Sequence, residues 1–188
     1  MARKGLDSEI IIAAAARLVE EKGYDHFSLN ELATKLGVKT ASLYNHIEGI
    51  REVNSKISLL AVSQLNHILE AAIAQKEKDD ALMCLAVAYR DYAQKNPELY
   101  KAVIKLRSSD DADLKESGFK VVEPIIRVFR QYALNESEMI HLSRGFRSAM
   151  HGFVEMEEAG FFRSPDANID QSYQKMIAGY CFILNRYH

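Results

Sequence analysis

Apolar residues recur every three to four positions along most of the chain, which is the spacing of amphipathic α-helices. No segment alternates apolar and polar residues as a half-buried strand does, and no internal repeat or low-complexity tract interrupts the pattern. The spacing predicts helices over about residues 8–23, 28–37, 40–46, 49–76, 81–95, 97–106, 114–134 and 136–158, and from about 169 onward. The sequence therefore predicts an all-α fold of about nine helices.

Capping residues mark several of the predicted helix ends. Ser28 and Glu31 have the spacing of a capping box, in which a hydroxyl and a carboxylate each satisfy one backbone amide at a helix start. Asn135 and Glu138 repeat that pattern further along the chain. Gly37 follows an apolar stripe and can adopt the left-handed conformation common at helix ends. These residues predict two helix starts and one helix end.

Prolines modify the helical pattern at two places. Pro97 suits the first turn of a helix capped by Asn96, because a missing amide costs nothing there. Pro124 instead lies well inside the predicted helix 114–134, which also contains Gly118. A proline in a helix interior removes a backbone hydrogen bond, so the sequence predicts a bend or break at this point.

The segment 28–47, SLNELATKLGVKTASLYNHI, has the form of two short helices joined at a glycine. Val38, Leu43 and Ile47 would share one apolar side, since residues four apart lie on the same helix face. The opposite face carries hydroxyl, amide and cationic groups suited to phosphates and base edges. Its residues are Lys39, Thr40, Ser42, Tyr44, Asn45 and His46. The pattern predicts a helix-turn-helix whose second helix enters the DNA major groove.

These residues also resemble a known family. GVKTASLYNHI, preceded by ELATKLG and followed by a long helix, is similar to the DNA-binding domain of TetR-type transcriptional regulators over roughly the first quarter of the chain. The resemblance implies a DNA-binding domain over 1–48 and a helical effector-binding and dimerisation domain over 49–188, with the long helix from 49 as the connector. The implied DNA-binding residues are Ser28, Lys39, Thr40, Ala41, Ser42, Tyr44, Asn45, His46 and Arg51.

Two positions depart from the family pattern. Lys39 stands where the family usually has Ser or Thr, and Ile50 stands where it usually has Lys. The sequence offers Thr40 as a substitute helix cap and Arg51 as a substitute phosphate contact. Arg3 and Lys4, which form a short basic arm before the first helix, are further candidates for phosphate contact.

The C-terminal half carries a second resemblance. Residues 147–162, RSAMHGFVEMEEAGFF, are similar to the histidine-glycine signature of the WHG-type TetR subgroup, in which the last two long helices form the dimer interface. Independently, the last two predicted helices carry more apolar surface than a small bundle needs, and pairing across a two-fold axis would bury it. The predicted interface residues are Phe153, Val154, Tyr173, Met176, Ile177, Tyr180 and Leu184. The alternative is that these side chains form the core of the monomer.

The TetR resemblance also implies a small-molecule pocket among the central helices of the C-terminal domain. Its candidate residues are Met83, Tyr89, Tyr92, Phe119, Phe129, Phe146, Met150 and His151. Aromatic and methionine residues at helical spacing fill interiors more often than they line cavities. Arg90, Arg127 and Arg147 are candidates for pairing with an acidic effector, although charged residues are usually solvated. The charge of the effector stays open.

Composition restricts the classes of function. The chain has 188 residues, 48% of them hydrophobic, and a net charge of −2, so any DNA binding must rest on a local surface and on two-fold repetition. Cys84 and Cys181 lie in apolar surroundings and favour reduced thiols, hence a cytoplasmic setting. Asp7 and Glu9 suit a helix start and argue against a signal peptide, and no later segment has the length of a membrane span.

An enzymatic function is an alternative from a different class of function. Glu138 and His141 form an E-x-x-H pair of the type that binds di-iron in four-helix bundles, but no second such pair is present. The sequence also lacks a glycine-rich phosphate loop and a G-x-S-x-G elbow. We therefore expect no enzymatic activity, metal or cofactor.

The sequence favours a homodimeric repressor that binds a palindromic operator and is released by a small molecule. The alternative is a helical ligand-binding or protein-interaction module without specific DNA binding. The sequence does not identify the effector, the operator or the regulated genes, or decide whether ligand releases or promotes DNA binding.

Overall fold

The computed structural model describes residues 6–106 and 121–187. Over these ranges the chain forms nine helices and no strand, as the apolar spacing predicts. The helices are α1 (Ser8–Lys22), α2 (Leu29–Leu36), α3 (Thr40–Leu43), α4 (Ile50–Ile73), α5 (Lys78–Lys95), α6 (Pro97–Lys105), α7 (Glu123–Phe129), α8 (Glu136–Glu158) and α9 (Ile169–Leu184).

The chain divides into two compact units. The first unit comprises Met1–Ser63 and Asn96–Gly118, and the second comprises Gln64–Lys95 and Phe119–His188. Helix α4 contributes residues to both units, and α6 belongs to the first. The predicted boundary between a DNA-binding domain over 1–48 and an effector-binding and dimerisation domain over 49–188 is a division by function, and it stays a prediction.

Predicted capping residues start three of the helices. Asp7 accepts a hydrogen bond from the Ile10 amide at 2.7 Å at the start of α1. Capping boxes are present at Ser28 for α2 and at Asn135 for α8. Gly37 ends α2 in the left-handed conformation with φ of 67°. Local side-chain chemistry therefore sets these helix ends as the sequence predicted.

Helix α3 is shorter than predicted. It ends at Leu43 instead of His46. The His46 amide donates to the Leu43 carbonyl at 2.8 Å, so the chain turns tightly through residues 44–46. The predicted extent of this helix was wrong by three residues, because residues 44–46 form a turn that is closed by the Leu43 carbonyl, which accepts from the amides of both His46 and Ile47.

Pro124 begins a helix instead of bending one. It lies in the first turn of α7, where its missing amide breaks no hydrogen bond. Of the predicted bend or break at Pro124, the structure therefore shows a break, because α7 begins at Glu123 after a turn at residues 121–122. Gly118, Phe119 and the basic arm at Arg3 lie outside the described residues.

Helix α6 receives its cap from another helix. Asn96 makes no side-chain capping bond, contrary to the prediction, while Pro97 does occupy the first turn. The Glu20 carboxylate of α1 instead accepts from the Leu99 amide at 2.7 Å, and burial raises the pKa of Glu20. In return, the Glu98 carboxylate accepts from the Tyr24 amide at 2.8 Å. These reciprocal bonds hold the end of α1 against the start of α6 within the first unit.

The first unit has a continuous apolar core. Side chains from α1, α2, α3 and α4 are buried together, including Ile11, Leu32, Leu43 and Ile57, each with no exposed surface. The hydroxyl of Tyr24 lies 3.3 Å from that of Ser58 in the same interior. Because α2 and α3 each bury one apolar side here, their other sides face solvent.

The second unit is built around α5, which packs against α7, α8 and α9. Phe129 and Phe146 are fully buried, with ring centroids 5.6 Å apart, and Phe146 meets the ring of Tyr180 edge-on at 5.2 Å. Among the described residues, no helix combines the length and apolar character that crossing a bilayer requires.

Candidate nucleic-acid interface

The link between α2 and α3 is short and fixed by backbone hydrogen bonds. The Val38 amide donates to the Ala33 carbonyl at 3.0 Å across the left-handed turn at Gly37. Leu43 and Ile47 are buried beneath the second helix, and Ala33 is buried in the first. These anchors orient α3 with its polar side outward.

The polar side of α3 and the turn after it are accessible. Tyr44 is 57% exposed, and none of the residues predicted to contact DNA is buried. All nine candidates are exposed or half-buried, namely Ser28, Lys39, Thr40, Ala41, Ser42, Tyr44, Asn45, His46 and Arg51. The first unit therefore leaves the hydroxyl, amide, imidazole and cationic groups of these residues accessible to solvent.

Thr40 has a different role from the predicted helix cap. The residue in the capping position is Lys39, which has extended backbone angles and makes no side-chain capping bond. The Thr40 hydroxyl donates instead to the Asn30 side-chain oxygen at 2.9 Å. Thr40 therefore ties α3 to α2. Sequence reasoning missed Asn30, because the bond joins residues ten apart with no local motif.

Ser28 is also occupied within the fold. Its hydroxyl accepts from the Glu31 amide at 3.3 Å and donates to the Glu31 carboxylate at 2.9 Å. The side chain is exposed, so its remaining lone pair is available to a donor, but its hydroxyl proton is committed to Glu31. Ser28 is thus primarily a capping residue at the edge of the polar surface.

Ion pairing decides which cations near this surface are free. Lys35 contacts Glu21 at 2.5 Å, and Lys22 contacts Glu31. The hydrogen bond from Lys22 lowers the pKa of Glu31 below its usual value. Across the described part of the chain, Lys39 and Arg51 have no carboxylate partner. Positive charge is therefore available beside α3 and at the start of α4.

Sequence reasoning also missed Arg17 on α1. This residue is exposed and, within the described ranges, has no carboxylate partner. Ile50, the residue that departs from the family pattern, is 36% exposed in the first turn of α4, immediately before the exposed Arg51. A cation next to Ile50 thus supplies charge at the start of this helix.

The predicted effector residues of the second unit form its core. Tyr89, Tyr92, Phe129, Phe146 and Met150 are buried. The remaining described candidates, Met83 and His151, are half-buried. The structure brings these side chains together as packed interior.

The arginines considered for an acidic effector have internal partners. Arg90 contacts Glu157 at 2.6 Å and Asp170 at 2.8 Å, and these hydrogen bonds, that with Glu157 foremost, raise the pKa of Arg90. Arg127 contacts Glu70. Arg90 and Arg127 are therefore committed within the protein.

The second unit contains cavities away from its packed centre. One of about 460 Å³ is lined by Glu70, Val122, Glu123, Ile126, Arg127 and Arg130. Another, of about 250 Å³, lies between α8, α9 and the residues that connect them. Of the described candidates for effector binding, Arg127 lines the first cavity, and none lines the second.

The predicted dimer residues divide into two groups. Val154, Tyr173, Ile177 and Leu184 are buried within the protomer, where the Tyr173 hydroxyl donates to the Ala86 carbonyl at 2.8 Å. The other three, Phe153, Met176 and Tyr180, are half-buried. The structure thus assigns four of the seven to the monomer core, which was the alternative. Phe182, within the apolar stripe of the last helix, is exposed, and sequence reasoning missed the exposed apolar side chains of Ile140, Met156 and Ile183.

Glu138 of the E-x-x-H pair serves the capping box of α8, where its carboxylate accepts from the Asn135 amide at 2.8 Å. Among the described residues, no group of three or more histidine, cysteine or acidic side chains is arranged to hold a metal ion. The pair therefore has a structural explanation.

A short helix with an exposed polar face, held across a glycine turn by buried apolar anchors, is the arrangement of a helix-turn-helix, the motif whose second helix enters the DNA major groove. Comparison with known families gives the same class. Residues 11–49 match the model described as bacterial regulatory proteins, tetR family, and residues 82–180 match the tetracyclin repressor-like, C-terminal domain. The chain belongs to the TetR family and is a transcriptional regulator with a helix-turn-helix DNA-binding domain.

Individual relatives extend over most of the chain. The HTH-type transcriptional regulator Rv0681 of Mycobacterium tuberculosis is 30% identical over 173 residues, covering 92% of this chain and 78% of that protein. YobS of Bacillus subtilis, another HTH-type transcriptional regulator, is 30% identical over 165 residues, covering 87% and 86%. A solved structure from Rhodococcus sp. RHA1 has a TM-score of 0.86 at 18% identity and covers 98% of both chains, so it supports the fold alone.

Proposed function

We propose that this regulator is a homodimeric repressor that binds a palindromic operator and is released by a small-molecule effector. The observation that supports operator binding most directly is the exposed polar face of α3, anchored by buried Leu43 and Ile47. A rigid, outward-facing helix of this kind can present side chains to base edges without reorganisation.

Roles on this surface follow from side-chain chemistry. Asn45 is exposed and carries an amide that can pair in bidentate fashion with adenine, so we assign it to base reading. Tyr44, Lys39 and Arg51 are assigned to phosphate, which hydroxyl and cationic groups contact without regard to sequence. Thr40 positions the helix through Asn30.

Dimerisation is proposed through α8 and α9. Phe182 and Ile183 are 60% and 42% exposed, and burying such side chains against a second copy stabilises a dimer. Half-buried Met176 and Tyr180 lie on the same side of α9 as Ile183, at helical spacing. Two reading helices in a dimer would contact half-sites about 34–36 Å apart.

Effector release is proposed as a shift between two dimer conformations. A ligand that binds the second unit more tightly in the conformation with mis-spaced reading helices lowers operator affinity by its differential affinity for the two states. The sequence resemblance to the histidine-glycine subgroup, the absence of enzymatic activity and a cytoplasmic location remain parts of this proposal.

Footprinting on the DNA beside the protein's own gene tests operator binding. The full-length dimer should protect a palindromic site at moderate salt, and changing Tyr44 and Asn45 together to Ala should abolish that protection while the protein stays folded by circular dichroism. The matched control is Thr34→Ala on α2, which should retain protection. Equal protection by the double variant would reject the assigned face, and no protection by the wild type would favour a module without specific DNA binding.

Light scattering after gel filtration tests the dimer. Ile183→Glu should convert the dimer to a monomer, because a charge would lie in the apolar contact. Val87, 40% exposed on α5, supplies the control: Val87→Glu should leave the dimer intact. A monomeric wild type, or a dimeric Ile183→Glu variant, would contradict the proposed interface.

A further inference from the structure

The residues between α8 and α9 form an aromatic-lined cavity of about 250 Å³, named here the α8–α9 pocket. Gly160, with φ of 72°, turns the chain after α8 and directs the following residues back over both helices. The side chains that matter to its chemistry are Phe153, Phe161, Phe162, Ala167, Ile169 and Arg163. Its volume lies just below the usual range for ligand pockets, so it suits a compound with a single ring.

The aromatic wall of this pocket is held by packing within the second unit. The ring of Phe153 lies 4.7 Å from that of Phe162 and meets Tyr173 edge-on at 4.9 Å. Phe161, at the same pocket, is 71% exposed. A ligand seated on these rings would remove apolar surface from water without rebuilding the wall.

Two arginines lie at this end of the unit, and they differ in their commitments. Arg90 is 9% exposed and lies over the rings of Phe153 and Tyr173. It donates two hydrogen bonds to Glu157 and forms an ion pair with Asp170. Its charge is thus matched inside the protein.

Arg163 is exposed, and its Nε donates to the Gly160 carbonyl at 2.7 Å. Within the described ranges it has no carboxylate partner. It lines both the α8–α9 pocket and an adjoining cavity that contains Arg90, Glu157 and Asp170. The terminal guanidinium nitrogens of Arg163 are therefore the uncommitted cationic donors at the pocket.

Charge complementarity selects the ligand class. Among the described residues that line the α8–α9 pocket, Arg163 is the charged one, whereas Glu157 and Asp170 line the adjoining cavity and bind Arg90 there. A cationic ligand in the pocket would therefore be repelled by Arg163 with no carboxylate of the pocket lining to offset it. An anionic ligand would instead gain charge-assisted hydrogen bonds from Arg163, whose planar fork matches a carboxylate.

We propose that the α8–α9 pocket binds a small aromatic carboxylate, with its ring on Phe153, Phe161 and Phe162 and its carboxylate on Arg163. The site is separate from the packed centre of the second unit, where the resemblance placed the effector. Binding of the carboxylate does not depend on DNA release. Only the role of the α8–α9 pocket as the effector site rests on the proposed function.

Calorimetric titration of the full-length protein with 3-phenylpropionate tests the site. The probe should bind saturably, and Arg163→Met should weaken binding about tenfold, since it removes a charge-assisted contact. The neutral amide of the probe should bind more weakly than the acid to the wild type and equally to both proteins. Arg186, which lies 4.3 Å over the ring of Phe182, provides the matched control: Arg186→Met should change binding less than twofold.

Equal affinity of the acid for wild type and Arg163→Met would overturn the proposal, as would no saturable binding to a folded protein. Phe161→Ser should lower the affinity for the probe while leaving the mass of the dimer unchanged. Loss of the dimer would show that this surface binds a second copy of the chain, and it would also overturn the proposal. Operator binding is measured separately in the same samples. Its failure would refute the proposed repressor function without affecting the titration result.

Discussion

The ion pairs beside the helix-turn-helix differ in exposure from the ion pair of Arg90 in the second unit. Around the helix-turn-helix, lysines pair with glutamates at the surface, as in Lys35 with Glu21, and both side chains remain solvated. In the second unit, Arg90 is nearly enclosed, makes two hydrogen bonds to Glu157 and lies against aromatic rings. Charge in the first unit therefore shapes a surface, whereas charge around Arg90 belongs to the packing.

This difference separates binding from stability. Exposed ion pairs contribute little free energy, but they determine which cations remain available to an anionic partner. A mostly buried pair contributes through the cost of leaving one charge unmatched. An ion-paired cation is thus replaceable when the pair is exposed, and its loss costs stability when the pair is mostly buried.

The largest expected effect is on stability, at Arg90. Arg90→Met should lower the free energy of unfolding by about 3 kcal/mol, because Glu157 would lose its charge partner in a mostly buried position. Urea denaturation followed by circular dichroism measures the change. The control is the exposed pair of Lys95 with Asp91 on the same helix. Lys95→Met should cost less than about 0.5 kcal/mol, and equal losses would show that the two pairs are equivalent.

An intermediate effect on stability is expected at Gly37, where backbone geometry, and not charge, holds the helix-turn-helix together. Gly37→Ala should cost about 1–2 kcal/mol, since φ of 67° places its new Cβ in the left-handed region. No other atom lies within 4 Å of that Cβ position, so steric crowding adds nothing. Gly37→Asn should cost less, because Asn tolerates this conformation. Thermal unfolding would reveal the order, and equal stability of all three proteins would refute it.

The smallest effect concerns the Lys22 pair. Because the hydrogen bond from Lys22 lowers the pKa of Glu31, the pair stabilises the fold above the unfolded pKa and loses its contribution as pH falls through the lower folded pKa. An NMR titration should place the Glu31 midpoint below 4.5 in the wild type and higher in Lys22→Met. Identical midpoints would exclude the pair as the cause.

Local chemistry explains which parts of the fold could be predicted. Ser28, Asn135 and Gly37 act through bonds or dihedral angles within a few residues, so the sequence alone locates the helix ends that they set. Pro124 likewise located the break before α7, because a proline cannot continue a helix. The shorter α3 could not be predicted, because apolar spacing does not show whether the chain turns after Leu43 or continues as a helix.

Contacts between distant residues explain what could not be predicted. Asn30 meets Thr40, Glu20 meets Leu99, and Arg90 meets Glu157, all without a sequence motif. Apolar residues at helical spacing also occur both on a helix side that packs inside the protomer and on one that faces outward. Tyr173 and Ile183 of α9 both follow this spacing, but in the structure Tyr173 is buried and Ile183 is exposed.

The salt dependence of operator affinity tests the polar face of α3 most directly. Each Lys39→Ala change occurs twice in a dimer, so the slope of log affinity against log salt should become shallower by about 2, and Arg51→Ala should do the same. Lys35→Ala removes a cation already paired with Glu21 and should leave the slope unchanged. Equal slopes for the wild type, Lys39→Ala and Arg51→Ala would contradict the assignment of this face to DNA.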